Sequence, residues 1–210
     1  MSVCHLSSCL SSSIDANKQG WHSTALCLMR QCVETLTITD LGLQDPNYSQ
    51  HLLEDWAEGK KSHGELRKRL EQDIWPSYGR GLWDESWMEF FGNLARSVQP
   101  YAHYSRELQE WQWAVVRQNS DTSFIATMGP YTYDALRASR ITLLNILAIW
   151  ALARILLETK SSNLITQKRN SVSELRKALA DSKLLFKGKD WATQLMPHVY
   201  FKHGHSYIDA

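Results

Sequence analysis

The segment Ile141–Leu157 is apolar on nearly every helical face. A helix without a polar face must be covered on all sides, so it belongs at the centre of a bundle. Asn145 and Arg154 interrupt the run, and its 17 residues are short for a bilayer. A buried core helix, with no membrane, is therefore expected over about 133–159, capped by Thr132. Other helical patterns surround it. Trp21, Ala25, Leu28, Cys32 and Leu36 recur every three to four residues, which predicts a long helix over about 14–40. Gly42 and Asp45-Pro46 end it. A short amphipathic helix follows over 48–59, with Leu52, Leu53 and Trp56 on one side. Ser62, with Glu65 three residues on, forms a capping box for a charged helix over about 63–74. The charges of that helix read as a solvated face. Asp84 or Ser86 caps the next helix, and further helices are expected over 172–182 and 190–196.

Composition agrees with this pattern. The chain of 210 residues is 43% hydrophobic, enough for one domain with a sizeable core. Its ten glycines and five prolines are too few for an all-β or disordered chain. The expected fold is an all-α antiparallel helical bundle. A small irregular or hairpin insertion comes from Ala114–Arg117 and Ser123–Thr127 around a polar turn. The bundle is placed over 14–185, with a short helix and tail over 186–210. In that tail, His203 and His205 read as part of a mobile end rather than a metal site.

The formal net charge is +1, so any contact with nucleic acid must come from a local patch. Cys4, Cys9, Cys27 and Cys32 make two Cys-x4-Cys pairs within the first 32 residues. Five positions turn a helix by about 500°, so paired thiols do not share a face. Buried or free thiols in a reducing cytoplasm are expected, with no metal and no cofactor. There is no basic stretch followed by an apolar run at the start, hence no expected signal peptide.

The chemistry is concentrated in Asn93–Arg106. Trp87, Phe90, Phe91 and Leu94 recur at helical spacing, which puts Arg96 near the end of an amphipathic helix. Pro100 breaks the helix after it, and Leu108, Trp111 and Trp113 are expected to resume an apolar helix beyond His103. Such a bend brings together a permanent cation that grips phosphate through a planar fork and an imidazole that titrates near neutrality. Arg96 and His103 are the candidate catalytic pair for a phosphodiester. Ser97, Tyr101, Tyr104 and Arg106 are the candidate substrate contacts. The nine tryptophans imply large aromatic contacts in the core or at an interface.

Taken in order, Gly20-Trp21, Arg30-x3-Glu34, Trp56-x2-Gly59-Lys60, Arg96-x6-His103 and the long apolar helix resemble the HEPN superfamily, in its abortive-infection and toxin-like branch. The resemblance covers about 14–160. It implies a helical bundle with an Arg-x4–6-His signature, and many members are metal-independent endoribonucleases that pair two such sites in a homodimer. RNA as substrate, a toxin–antitoxin or phage-defence role, and an antitoxin or defence partner follow as expectations. Arg96 matches the arginine of the signature and His103 its histidine. The position after the arginine, often Asn, Asp or His in active members, is Ser97 here. That departure keeps a second expectation in place, a non-catalytic helical module that binds a nucleotide or a protein partner.

Overall fold

A computed structural model describes residues 2–101, 105, 108, 111, 113–120, 123–128, 133–159, 168–185, 187 and 191–196, with backbone only for 113–120, 123–128, 193 and 194. His103, Tyr104, Arg106, Thr132 and the tail from 197 lie outside these residues. The fold is an all-α bundle carrying one small hairpin. Its helices are α1 (Ser2–Lys18), α2 (His22–Gly42), α3 (Pro46–Ala57), α4 (His63–Asp73) and α5 (Trp87–Val98), followed by α6 (Ala135–Glu158), α7 (Arg169–Ala180) and α8 (Trp191–Leu195). Short 3-10 turns over Trp75–Tyr78 and Gln99–Tyr101 lead into and out of α5. Strands β1 (Trp113–Ser120) and β2 (Ser123–Met128) pair antiparallel between α5 and α6. Trp113 therefore opens a strand, where the sequence pattern predicted that a helix continues.

Local chemistry sets many of the boundaries. Asp45 caps α3 by accepting from the Asn47 amide at 2.7 Å, with Pro46 at the first helical position, where its missing N–H costs nothing. Ser62 and Glu65 form the full capping box of α4. Ser86 accepts from the Glu89 amide and starts α5. Asp134 does the same for α6 through the Arg137 amide at 2.9 Å.

The expected single helix over 14–40 is two helices. The break comes at Gly20, with φ of 80°. There the Trp21 amide donates to Ala16 and the Gly20 amide to Asn17, the paired bonds of a Schellman cap. Trp21, which the periodicity placed inside a helix, lies just past that cap at the start of the next helix. The bundle also begins before position 14, because Leu6, Cys9 and Leu10 of α1 are buried. It extends past 185 as well, since Trp191 of α8 is buried and stacks on Phe90 at 5.8 Å.

The centre is shared by two helices. α2 packs against α1, α3, α4, α5 and α6, while α6 packs against α1, α2, α5 and α7. Phe90 and Phe91 of α5 meet Trp75, Trp87, Trp150 and Trp191 in one aromatic cluster, with Phe90 edge-on to Trp150 at 4.8 Å. Such pairs contribute roughly 0.5–1.5 kcal/mol each beyond their buried area. By length and composition α6 could cross a membrane, but half of its most apolar window is buried against the rest of the fold. Its two interrupting residues also bond within the fold. Asn145 donates to Ser13 Oγ and the Ile141 carbonyl, and Arg154 donates to the Tyr78 carbonyl at 2.8 Å while pairing with Glu158 at 2.9 Å.

Candidate functional site at the end of helix α5

α5 is sharply two-faced. Trp87, Phe90, Phe91, Leu94 and Val98 are fully buried, which leaves Arg96 on the opposite, exposed face in the last turn. A cation there is favoured by the helix dipole, as Glu89 is in the first turn. The guanidinium is also oriented. Arg96 Nη2 donates to Asn93 Oδ1 at 2.7 Å, and the Asn93 amide nitrogen donates to the Glu89 carbonyl at 3.1 Å. Asn93 is completely buried, so it holds one edge of the fork from within the protein.

The two residues nearest Arg96 among the expected substrate contacts occupy the core instead. Ser97 is 3% exposed and donates its hydroxyl to the Leu94 carbonyl at 2.7 Å. This back-bond is the usual fate of a helical serine that faces inward. Tyr101 is 1% exposed and meets Trp111 edge-on at 6.0 Å. Both follow from the helical turn: positions 94, 97, 98 and 101 lie on the side of Val98, and Arg96 does not. Neither side chain is open to solvent.

Beyond the 3-10 turn, the chain is tied back at several points. Ser105 donates to the Pro100 carbonyl at 2.7 Å, and its oxygen accepts from the Leu108 amide at 3.1 Å. Leu108 and Trp111 are buried. Arg137 of α6 lies 5.5 Å over the Trp111 ring and donates to its carbonyl at 3.2 Å. Burial holds the pKa of Arg140, which neighbours Tyr101, below the usual arginine value. The segment that carries His103 is thus flanked by anchors at Tyr101, Ser105, Leu108 and Trp111.

Two other polar clusters were not visible in the sequence. Asp40 of α2 is fully buried and accepts from Trp75 Nε1 at 2.7 Å, Tyr78 Oη at 2.6 Å and Gln44 Nε2 at 2.8 Å. Burial raises its pKa, and the three donors oppose that rise. At the other end of α2, His22 Nδ1 donates to Asn17 Oδ1 at 2.9 Å, while His22 Nε2 accepts from the Asp134 amide at 3.1 Å. Asn17 in turn donates to the Ala138 carbonyl and to Thr142 Oγ1. An acceptor role for Nε2 requires neutral imidazole, in line with a His22 pKa lowered by burial, then by Arg137, against a weaker opposing effect of Asp134. The longer links of these networks join residues 35 to 125 positions apart, beyond the reach of any local signature. Cys9 and Cys32 are both buried, and burial pushes the Cys32 thiol up to about 12. Among the described residues, no cluster of His, Cys, Asp or Glu could hold a metal ion.

Comparison with known proteins gives no relative: no family model matches the chain, and no similar curated protein or solved structure is found.

Proposed function

We propose that this protein is a metal-independent endoribonuclease of the HEPN kind, with Arg96 and His103 at its site. The observation that carries the reading is Arg96 itself. It is the exposed cation in the last turn of a helix whose opposite face is buried, and a buried asparagine orients it. A planar guanidinium held by one edge keeps its other edge for a phosphate. In this reading the 2′-hydroxyl of RNA attacks the adjacent phosphorus and the 5′-oxygen leaves. His103 removes the proton from the first oxygen or supplies one to the second. Arg96 holds the scissile phosphate and offsets the charge that develops on it. The same chemistry excludes DNA, which has no 2′-hydroxyl. Tyr104 and Arg106 would contact the substrate near His103. A cytoplasmic homodimer pairing two Arg/His sites, acting as a toxin or phage-defence effector and held by an antitoxin or other partner, completes the proposal. Light scattering that gives a monomer mass at tens of micromolar would remove the homodimer.

The test is cleavage of RNA in EDTA by the parent, Arg96→Ala, His103→Ala and Arg96→Lys. Each alanine variant is expected to lose about 100-fold or more, and lysine to restore little, because a point charge lacks the fork. Parent-like cleavage by both alanine variants, or loss of cleavage on chelation, rejects the assignment.

The burial of Ser97 and Tyr101 favours a second reading, a non-catalytic module that binds a nucleotide or a protein, since it removes two of the expected substrate contacts. Absence of cleavage on any RNA, with nucleotide or partner binding retained, selects it.

A further inference from the structure

Arg30 lies in the middle of α2 and Arg67 in the middle of α4, and both line one cleft between α2, α4 and α5. Glu34, His63, Gly64 and Gln99 complete its polar wall, over a floor that includes Phe91 and Ala95. Its volume is about 190 Å³. That is below the roughly 300–1,000 Å³ of pockets for drug-sized ligands, so it suits a small group rather than a whole nucleotide.

The charges of the cleft favour an anion. Arg30 Nη2 pairs with Glu34 Oε1 at 2.6 Å, with their side chains 24% and 31% exposed. Arg67 Nε lies 3.2 Å from Glu71, which is not among the residues lining the cleft. Arg30 Nε is buried without a hydrogen-bond partner among the described residues, and Arg67 Nε, also buried, has only its ion pair with Glu71. Buried donors of this kind normally find acceptors. His63 and Gly64 are the first residues of α4, where backbone N–H groups have no partner within the helix and the dipole favours negative charge. Two guanidinium groups and a helix N-terminus thus border one small space; Glu34 is the carboxylate that lines it, while Glu71 pairs with Arg67 and Glu65 closes the capping box of α4.

We propose that this cleft binds the phosphoryl group of a phosphate monoester, using Arg30 and Arg67 as its cationic ligands and Glu34 as the internal counter-ion that the phosphate displaces. The two sources of such a group are free phosphate compounds and the 5′-phosphorylated end of an RNA. This site does not depend on the ribonuclease reading, because it uses neither Arg96 nor His103.

The test measures binding of inorganic phosphate by calorimetry and thermal shift, at ionic strength matched with potassium chloride, to the parent, Arg67→Gln, Glu34→Gln and Arg80→Gln. Arg67→Gln is expected to weaken phosphate about tenfold, through loss of a charge-assisted contact. Glu34→Gln is expected to tighten it about threefold or more, because it frees Arg30 and removes the competing charge. A merely structural ion pair would give weaker binding or no change on that substitution. Arg80→Gln, at an exposed cation in neither site, is expected to bind phosphate like the parent, and because the readout is phosphate binding rather than cleavage, failure at the catalytic pair and failure here are separable. A second arm compares short RNAs with 5′-phosphate and 5′-hydroxyl ends. A preference for the phosphorylated end that Arg67→Gln removes identifies RNA as the source, and equal binding of the two alongside phosphate binding identifies free phosphate. No response to phosphate beyond that to chloride, or weakening by Glu34→Gln, overturns the proposal.

Discussion

α2 carries polar residues at both ends and in its middle, and they are treated in opposite ways. At the ends, His22 and Asp40 are fully engaged by partners within the fold. In the middle, Arg30 pairs with Glu34 but leaves a buried donor unmatched beside a cleft. The same holds on α5, where Ser97 is closed against its own helix while Arg96, one residue earlier, is exposed and only half engaged. Closed clusters fix helices relative to one another, because any loss leaves several buried groups unpaired. Open ones hold a charge in place with hydrogen-bonding capacity to spare, which a ligand can use. The difference gives each cluster a distinct response to substitution.

The largest expected effect is at Asp40. Asp40→Ala leaves the Trp75, Tyr78 and Gln44 donors without their shared acceptor, and a loss of about 3–5 kcal/mol is expected in urea denaturation. Stability near that of the parent would show that the cluster is not closed as described. Next comes the open site on α5. Arg96→Ala is expected to reduce RNA cleavage about 100-fold while unfolding stays within about 0.5 kcal/mol of the parent, the range for exposed surface positions. A variant that loses stability and cleavage together would move Arg96 into the closed class.

Asn17→Ala is expected to cost about 2 kcal/mol, since it unpairs His22 Nδ1 and removes one of the bonds to the Ala138 carbonyl. Denaturation curves that superimpose on those of the parent would remove this residue from the network. His22 itself gives a smaller effect, tied to pH. Its folded pKa lies below the ordinary value, so near pH 6.5 the unfolded chain takes up a proton that the folded one refuses. Its stabilising contribution is complete above about pH 6.5 and is lost as pH falls toward the folded value, by at most about 1.4 kcal/mol per unit. Parent and His22→Gln should therefore diverge in pH dependence between pH 7.5 and 5.5; identical profiles would show that His22 charges without penalty. The smallest effect belongs to the cleft: Arg67→Gln should change stability by no more than about 0.5 kcal/mol, because its ion pair with Glu71 is partly exposed, at 38% and 25%.

The amino-acid sequence alone determined what depends on neighbours a few residues away. Ser62 and Glu65, Asp45-Pro46, Ser86 and the apolar run of α6 were legible because capping and helical periodicity operate over three or four positions. The exposed place of Arg96 was legible too, as the polar position among Phe91, Leu94 and Val98. Gly20 was missed because apolar spacing runs on through it, although its left-handed backbone ends the helix. The burial of Ser97 and Tyr101 was not legible, because residue type does not tell which side of a helix end faces the core. Only the tertiary structure decided which polar groups are closed. Asp40 meets Trp75 and Tyr78, Asn17 meets Thr142, and Arg30 shares a cleft with Arg67. Those partners lie on different helices, and only packing brings them within hydrogen-bonding reach or around a common space.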